Sequence, residues 1–359
     1  LILARLLLDQ GTEHESDLAI RHPSRFYRGR VVRWGTLTRE LSGPPPTLPI
    51  INSGKLEIED TQSYWRNLLN TTTQRRRLIE IKTGFEGGSE QAFPIAYIGE
   101  LDRAAYGPGM FSPSIKDIWQ RWMKRQIPPW INRLNFPNLP DGVDSGFFPI
   151  VFGRVVSATV NPQGVIPLIL VDTTTNDYAV NRTTTKEIVA VYKKLPGAGL
   201  ATLVSPADYT KVEQLKTIDA YDYTITLCRF TAALPDGTEV TADIDGINFR
   251  GTFLNMPEIV NSTIRNDIDH IINLLYFLFI LEPTALDFDE WAFYTTWLKH
   301  ATLNVYVDGA LTVQQTFGEA IGGLCYSGMT DIFQTKFGKI AVEFTTESKR
   351  VLEEYIFDQ

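Results

Sequence analysis

Cysteine is nearly absent. Cys228 and Cys325 are the two in 359 residues, too few for a disulfide framework, and no Cys-x-x-Cys pair offers a thiolate zinc motif. Histidine is sparse as well: His14, His22, His270 and His300 stand far apart, and no HExxH pair joins any of them. Long apolar runs are missing. The longest, Ile271 to Leu281, has 11 residues, against the ~20 that a membrane-spanning helix needs, so a soluble chain without stable membrane association is expected. The N-terminal LILARLLLDQ has neither a basic leading region nor a cleavage site and does not read as a secretory signal. No P-loop, dinucleotide fingerprint, GxSxG elbow or EF-hand loop occurs, which removes the best-marked enzyme classes, and no cofactor or metal is expected.

What is present is an ordinary globular composition, 43% hydrophobic and 21% charged, too apolar for a disordered chain. The length suggests two or three domains. The net charge of −8 is unevenly placed: residues 1–150 hold 19 basic and 16 acidic side chains, and the rest hold 15 and 26. That acidic second part argues against a nucleic-acid-binding surface there.

The pattern from Ser24 to Asp102 organises the chain. RFYRGRVVRWGTLTREL, SGKLEIED, RRRLIEIKTGF and FPIAYIGELD read as strands. In Lys55–Asp60, Leu56 and Ile58 alternate with Lys55, Glu57 and Glu59, one buried face against one solvated face. Tyr64, Trp65, Leu68 and Leu69 switch to helical spacing. Before this stretch, Leu1–Gln10 has a short helical pattern. After it, Tyr106–Gly146 is dense in Pro and Gly around a helix expected from Ser114 to Gln126, with Ile115, Ile118, Trp119 and Trp122 on one stripe and Ser114 as cap. That helix either packs on its own domain or acts as an intersubunit peg.

Short strands return from Phe147. YDYTITLCRF and GTEVTADIDGI are expected to pair through the Pro235-Asp236-Gly237 turn. Helical spacing follows from Pro257 to Leu281, with Ile264, Ile268, Ile271, Ile272, Leu275 and Phe279 as its buried stripe. A second helix is expected over Asp287–His300, whose Asp287, Asp289 and Glu290 suit the positive end of the dipole, then a third over Val313–Gln334 and a final strand, GKIAVEF. The expected divisions are 1–22 (arm), 23–105 (β-barrel-type domain), 106–146 (Pro-rich crossover), 147–250 (β-rich domain), 251–345 (mixed α/β domain) and 346–359 (tail). The fold class is α+β, mostly β.

Chemistry-bearing residues are few. Asp287, Asp289 and Glu290, or Asp243 and Asp245, could form the carboxylate pair of a glycan-degrading enzyme, but acids at a helix start are common for electrostatic reasons alone. His270 reads as exposed or hydrogen-bonded, and Cys325 as a buried packing residue. Arg75, Arg76 and Arg77 open a strand and fit a salt-bridged protein interface or a solvated edge better than phosphate binding. Trp119, Trp122 and Trp130 are the aromatics that a carbohydrate- or receptor-binding face would use.

The order of four groups of motifs resembles the tail hub proteins of tailed phages and gene transfer agents. The first is RGRVVRWGTLTREL with SGKLEIEDTQSYWRNLL, similar to the family's opening strands and its step of strand, acidic turn and small helix. The second is RRRLIEIKTGFEG with AYIGELD. The third is FFPIVFGRVVSATVNPQGVIPLILVD with DYAVN, EIVAVYKKL and LVSPADYT. The fourth is MPEIVNSTIRNDIDHII, DFDEWAFY, FGEAIGGLCYSG and GKIAVEF. The likeness spans residues 24–344 and lies in the order rather than in any single motif.

It implies a virion structural component at the tail tip without catalytic residues. Such a protein forms a homotrimeric ring below the distal tail protein ring, around the end of the tape-measure protein, and anchors tip or fibre proteins. DNA passes through its lumen at ejection. Candidate interface residues are then Arg75, Arg76, Arg77, Trp119 and Trp122. Hub proteins commonly continue into a second barrel and receptor-facing modules. Here VEFTTESKRVLEEYIFDQ follows the helical part, so those modules are expected on other chains or in the rest of a longer product.

Overall fold

The computed structural model describes residues 2–8, 11–16, 20–22, 25–29, 31–34, 37–39, 53–71, 77–84, 93–118, 120–160, 162–218, 221–247, 265–278, 288–335, 337–345 and 353–355. They fall into two compact units, one formed by 1–124, 284–293 and 329–359, the other by 125–283 and 294–328. Both are mostly β, and the class is α+β as the sequence indicates. In chain order the elements are β1 (Ile2–Leu8), β2 (Gly11–Ser16), β3 (Ile20–His22), β4 (Arg25–Gly29), β5 (Val31–Trp34), β6 (Leu37–Arg39), β7 (Ser53–Glu59), α1 (Tyr64–Thr71), β8 (Leu78–Thr83), β9 (Ile95–Gly107), β10 (Met110–Lys116) and α2 (Gln120–Met123). There follow β11 (Ile150–Phe152), β12 (Arg154–Val155), β13 (Ile166–Asp172), β14 (Asp177–Asn181), β15 (Thr185–Lys194), β16 (Thr202–Leu203), β17 (Tyr209–Ile218), β18 (Tyr221–Phe230) and β19 (Glu239–Ile247). The last are α3 (Asp267–Ile272), α4 (Glu290–Leu303), β20 (Gly309–Leu311), α5 (Phe317–Gly328), β21 (Thr330–Gln334), β22 (Ile340–Phe344) and β23 (Glu353–Tyr355).

In the first unit eleven strands pair along an open path, β23-β6-β7-β10-β9-β8-β1-β2-β4-β3, with β5 also on β7. The barrel expected for residues 23–105 is thus a sheet whose pairing, among the described residues, has two ends. It also takes in the expected arm. Within the helical pattern expected over Leu1–Gln10, Ile2–Leu8 forms a strand instead: β1 pairs β2 on one side and β8 on the other. A single short segment gains little as a lone helix, whereas between two strands its backbone groups find partners on both sides. The expected boundary at 105 falls inside β9, and β10 belongs to the same sheet.

The helix expected from Ser114 is corrected too. Buried and half-buried residues alternate strictly along β10, with Phe111 and Ile115 wholly buried, so period two outweighs the tryptophan stripe. Helix remains only at Gln120–Met123. The core beneath the sheet joins Leu56, Ile58, Ile79, Ile81, Phe111 and Ile115 to Trp65 of α1, whose ring stacks on Phe111 at 5.0 Å. Asp60 sets that helix in place. Its carboxylate accepts the N–H groups of Trp65 (3.0 Å) and Arg66 (3.3 Å), donors that the first turn of a helix leaves unpaired.

The second unit contains an eight-stranded sheet, β16-β15-β19-β13-β14-β18-β17, with β12 on β19. β18 and β19 are not a hairpin. β18 pairs with β17 over ten residues and with β14 on its other edge, while β19 lies between β15 and β13. The Pro235–Thr238 turn forms, with Thr238 N–H on Pro235 O at 3.1 Å, but it links strands that each find a longer partner elsewhere. One sheet face covers Val180, Ile188, Val191, Val240, Ala242 and Ile244. The other packs under Trp130, Ile131, Phe136 and Leu139 of the Pro-rich segment and under Phe148 just after it.

Of the helix expected over Pro257–Leu281, Asn266–Leu278 is described together with Arg265 before it, and the rest lies outside the described residues. Asn266 caps α3 by accepting Ile268 N–H at 3.0 Å, and a π-helical turn, Asn273–Leu278, follows. Ile268, Ile271, Ile272 and Leu275 are buried as expected. The third expected helix stops at Gly328. Met329 takes a left-handed conformation (φ 51), which ends a helix, and Thr330–Gln334 becomes β21, paired with β22 in the first unit. There Gln334 stands in for a missing strand residue: its amide accepts Ile118 N–H at 2.6 Å and donates to Ile98 O at 2.8 Å. Among the described residues no helix is long and apolar enough to cross a membrane.

Asp60→Ala is expected to destabilise the first unit by ~1–2 kcal/mol, the usual cost of losing a helix cap. The urea midpoint measures it, and an unchanged midpoint would mean that water replaces the carboxylate.

Candidate functional site

The residues singled out for a protein interface are partly placed. Arg75, Arg76 and Trp119 lie outside the described residues. Arg77 is half-buried, and its carbonyl accepts Leu101 N–H at 2.8 Å. Trp122, on α2, is 9% exposed, so its ring packs within the protein. Trp130 is 3% exposed. Two of the three tryptophans named for a carbohydrate-binding face are therefore interior.

Trp130 has a partner that its sequence neighbourhood does not announce. Arg182, at the end of β14, is wholly buried. Its guanidinium lies 3.8 Å from the centre of the Trp130 ring and 5.1 Å from that of Phe147, and Nη2 donates to Pro128 O at 2.6 Å. A buried cation needs such compensation. The arrangement fastens the Pro-rich segment to the sheet at both ends of its aromatic run.

The candidate carboxylates hold structure together. Asp243 accepts Ser157 N–H (2.8 Å), Ser157 Oγ–H (2.7 Å) and Tyr192 O–H (3.4 Å). Asp245 faces Arg154 at 3.3 Å and Lys186 at 3.8 Å. Asp289 caps α4 through Ala292 N–H at 3.1 Å, Glu290 sits exposed in its first turn, and Asp287 lies outside the described residues. Asp177, paired with Arg229 at 2.7 and 2.9 Å, ties β14 to β18. Among the described residues no three His, Cys, Asp or Glu side chains are placed to hold a metal ion.

Burial favours the neutral forms of the Cys228 thiol and the His270 imidazole. Burial first, and Asp177 second, push the Cys228 thiol up to about 12, so it is a packing residue, not a nucleophile. Cys325 is buried on α5. Burial lowers His270 to about 4. His270 is hydrogen-bonded, as one sequence reading had it, but fully inaccessible: its Nε2 lies 2.9 Å from Val307 O.

Surface apolar residues were not singled out by the sequence reading. In the second unit Leu195, Leu200 and Leu203 are 45%, 62% and 64% exposed, all within or beside the β15–β16 connection, where Gly197 turns the chain at φ 79. Three exposed leucines around one short connection form a natural contact element. The pattern Leu-Pro-Gly-Ala-Gly-Leu was visible in the sequence, but only the solvent exposure distinguishes it from a buried turn.

No protein-family model matches the chain, and no curated protein matches it. Among solved structures it is similar to a chain from the virion of a native gene transfer agent particle, at 12% identity over 68% of this chain and 80% of that one, with a TM-score of 0.26.

Trp130→Ala is expected to cost ~3–5 kcal/mol, the range for emptying a buried aromatic site. Trp291→Ala, at a side chain 72% exposed, is expected to stay within ~0.5 kcal/mol. Thermal denaturation of the two variants measures both, and equal losses would contradict the burial assigned to Trp130.

Proposed function

We propose that this chain is a structural component of a phage-like particle: a hub ring at the tail tip that joins the tail tube and distal tail ring to tip or fibre proteins and surrounds the DNA channel. One observation carries the reading. The order of motifs along residues 24–344 resembles that of the tail hub proteins, and one step in that order, a strand, an acidic turn and a small helix, falls on β7, Asp60 with its two backbone bonds, and α1.

The ring reading needs surfaces rather than a cleft. The leucines of the β15–β16 connection offer one, and the sequence names Arg75 to Arg77 as a further candidate. Its partners are further copies of the chain, probed as a trimer, with the distal tail ring, the tape-measure protein and the tip proteins as neighbours. DNA meets it only in passing. A glycan-degrading activity would draw on Asp243, Asp245, Asp287, Asp289 or Glu290. Asp243, Asp245 and Asp289 already serve as ties and a cap, which favours a binding role over catalysis.

Mass photometry of the purified protein is expected to give trimers, with turbidity of cell-wall suspensions unchanged. Joint replacement Leu200→Asp and Leu203→Asp should shift the population to monomers while leaving the melting temperature within a few degrees, since both side chains are exposed. A monomeric wild type that clears cell-wall material, and loses that activity on Asp287→Asn, would overturn the reading.

A further inference from the structure

In the second unit, α3 and the residues leading into it are fastened to the strands beside them by His270, by the Arg265–Asp308 ion pair and by Val307 N–H on Arg265 O at 2.9 Å. His270 has no solvent exposure. Its Nε2 donates to Val307 O at 2.9 Å, two residues before β20, which pairs with β11. Its ring lies 5.1 Å from that of Phe152 on β11. The other ring nitrogen, Nδ1, is buried and makes no hydrogen bond.

The same joint contains an ion pair. Asp308 is held by Arg265 from the residues leading into α3, through Nε at 2.8 Å and through Nη2. It also accepts Arg154 N–H at 2.8 Å. Arg265 in turn lies over the Tyr306 ring at 4.8 Å. Gly153, at the corner between β11 and β12, has φ 62 and leaves no room for a side chain beside the Asp308 carboxylate. Both carboxylate oxygens of Asp308 are therefore engaged before any charge on His270 could recruit them.

The remaining titratable groups around α3 offer little to an imidazolium. On the helix itself, Asp269 accepts Trp297 Nε1–H from α4 at 3.0 Å, and Asp267 lies against Gly328 at the end of α5. From α4, His300 is also wholly buried and bonded to the backbone of Gly328. From α5, Cys325 is a buried thiol. β11 contributes the Phe152 ring. A proton on Nδ1 would be buried without an acceptor, with Arg265 as the nearby cation and the attraction of Asp308 already shared.

We propose that the His270–Val307 contact is an acid-sensitive clasp: a proton on His270 releases α3 from the β11–β20 pair while the β17–β18 part of the sheet stays folded. Released, the imidazole titrates like a free histidine. Clasped, burial lowers it to about 4. The clasp is thus at full strength above the free value and weakens as the pH falls from there toward the clasped value. The ratio of the two proton affinities makes opening at pH 4.5 about 10²-fold more frequent than at pH 7.5.

Hydrogen exchange read by mass spectrometry on the full chain tests this, with rates corrected for the intrinsic pH dependence of amide exchange. Peptides covering 265–275 are expected to lose protection by about 10²-fold between pH 7.5 and 4.5, while peptides covering 221–230 keep theirs. His270→Gln, whose amide can still donate to Val307 O but cannot take up a proton, is expected to abolish that loss. Retained protection at 265–275, loss in step with 221–230, or an unaltered loss in His270→Gln would each overturn the proposal. If the variant does not fold, the wild-type comparison of the two peptide sets still decides, since a global acid transition moves both together.

Discussion

One strand changes partner half-way, and the second unit is built around that change. β13 bonds to β19 through Ile166, Pro167 and Leu168, then to β14 through Ile169, Leu170 and Asp172, with a register shift between Leu170 and Asp172. Pro167, which lacks an N–H, sits on the half that pairs with β19. A strand that serves two neighbours in succession must bend, and the sheet bends with it. That curvature gives one face a closed apolar core and leaves the other to be covered by a separate segment, the Pro-rich stretch pinned by Arg182. It also brings β17 near the start of β15, where Lys211 Nζ donates to Thr185 O at 2.8 Å. The exposed edge of β17 is thereby guarded by a lysine, and at its far end Lys216 donates to Asn135 O at 3.0 Å. Edge strands are commonly protected in this way against unwanted pairing.

In both units several polar side chains hold backbone segments in place. Asp60 starts α1, Gln334 docks the β21–β22 hairpin, Asp243 holds the loop after β12, and Asp308 holds the corner after β11. Each satisfies backbone N–H groups that regular pairing leaves over, which is how a chain rich in short strands and loops avoids unpaired buried donors. This use of carboxylates differs from a catalytic one, where at least one oxygen must stay available to a substrate.

The sequence was most informative where the hydrophobic period was unambiguous. Leu56 and Ile58, Ile79 and Ile81, and the stripe Ile268, Ile271, Ile272 and Leu275 lie where their spacing indicates, and GKIAVEF is β22. It misled where a helical stripe and a strand alternation overlap, as from Ile115 to Trp122, and at Leu1–Gln10, where partners on both sides decide the outcome. The PDG turn was legible, but the pairing of the strands flanking it was not, because pairing is set by long-range register. The candidate site residues were least legible. Arg182 is charged and β-flanked, and only the structure shows it wholly buried between two aromatic rings. The surface leucines around Gly197 look in sequence like any other apolar turn.

The proposed function requires that copies of this chain assemble into a ring. Negative-stain electron microscopy of the purified chain at micromolar concentration tests it directly. Class averages showing closed rings of threefold symmetry with a central channel are the predicted result. A uniform population of single, unassociated particles over the same concentration range would contradict it.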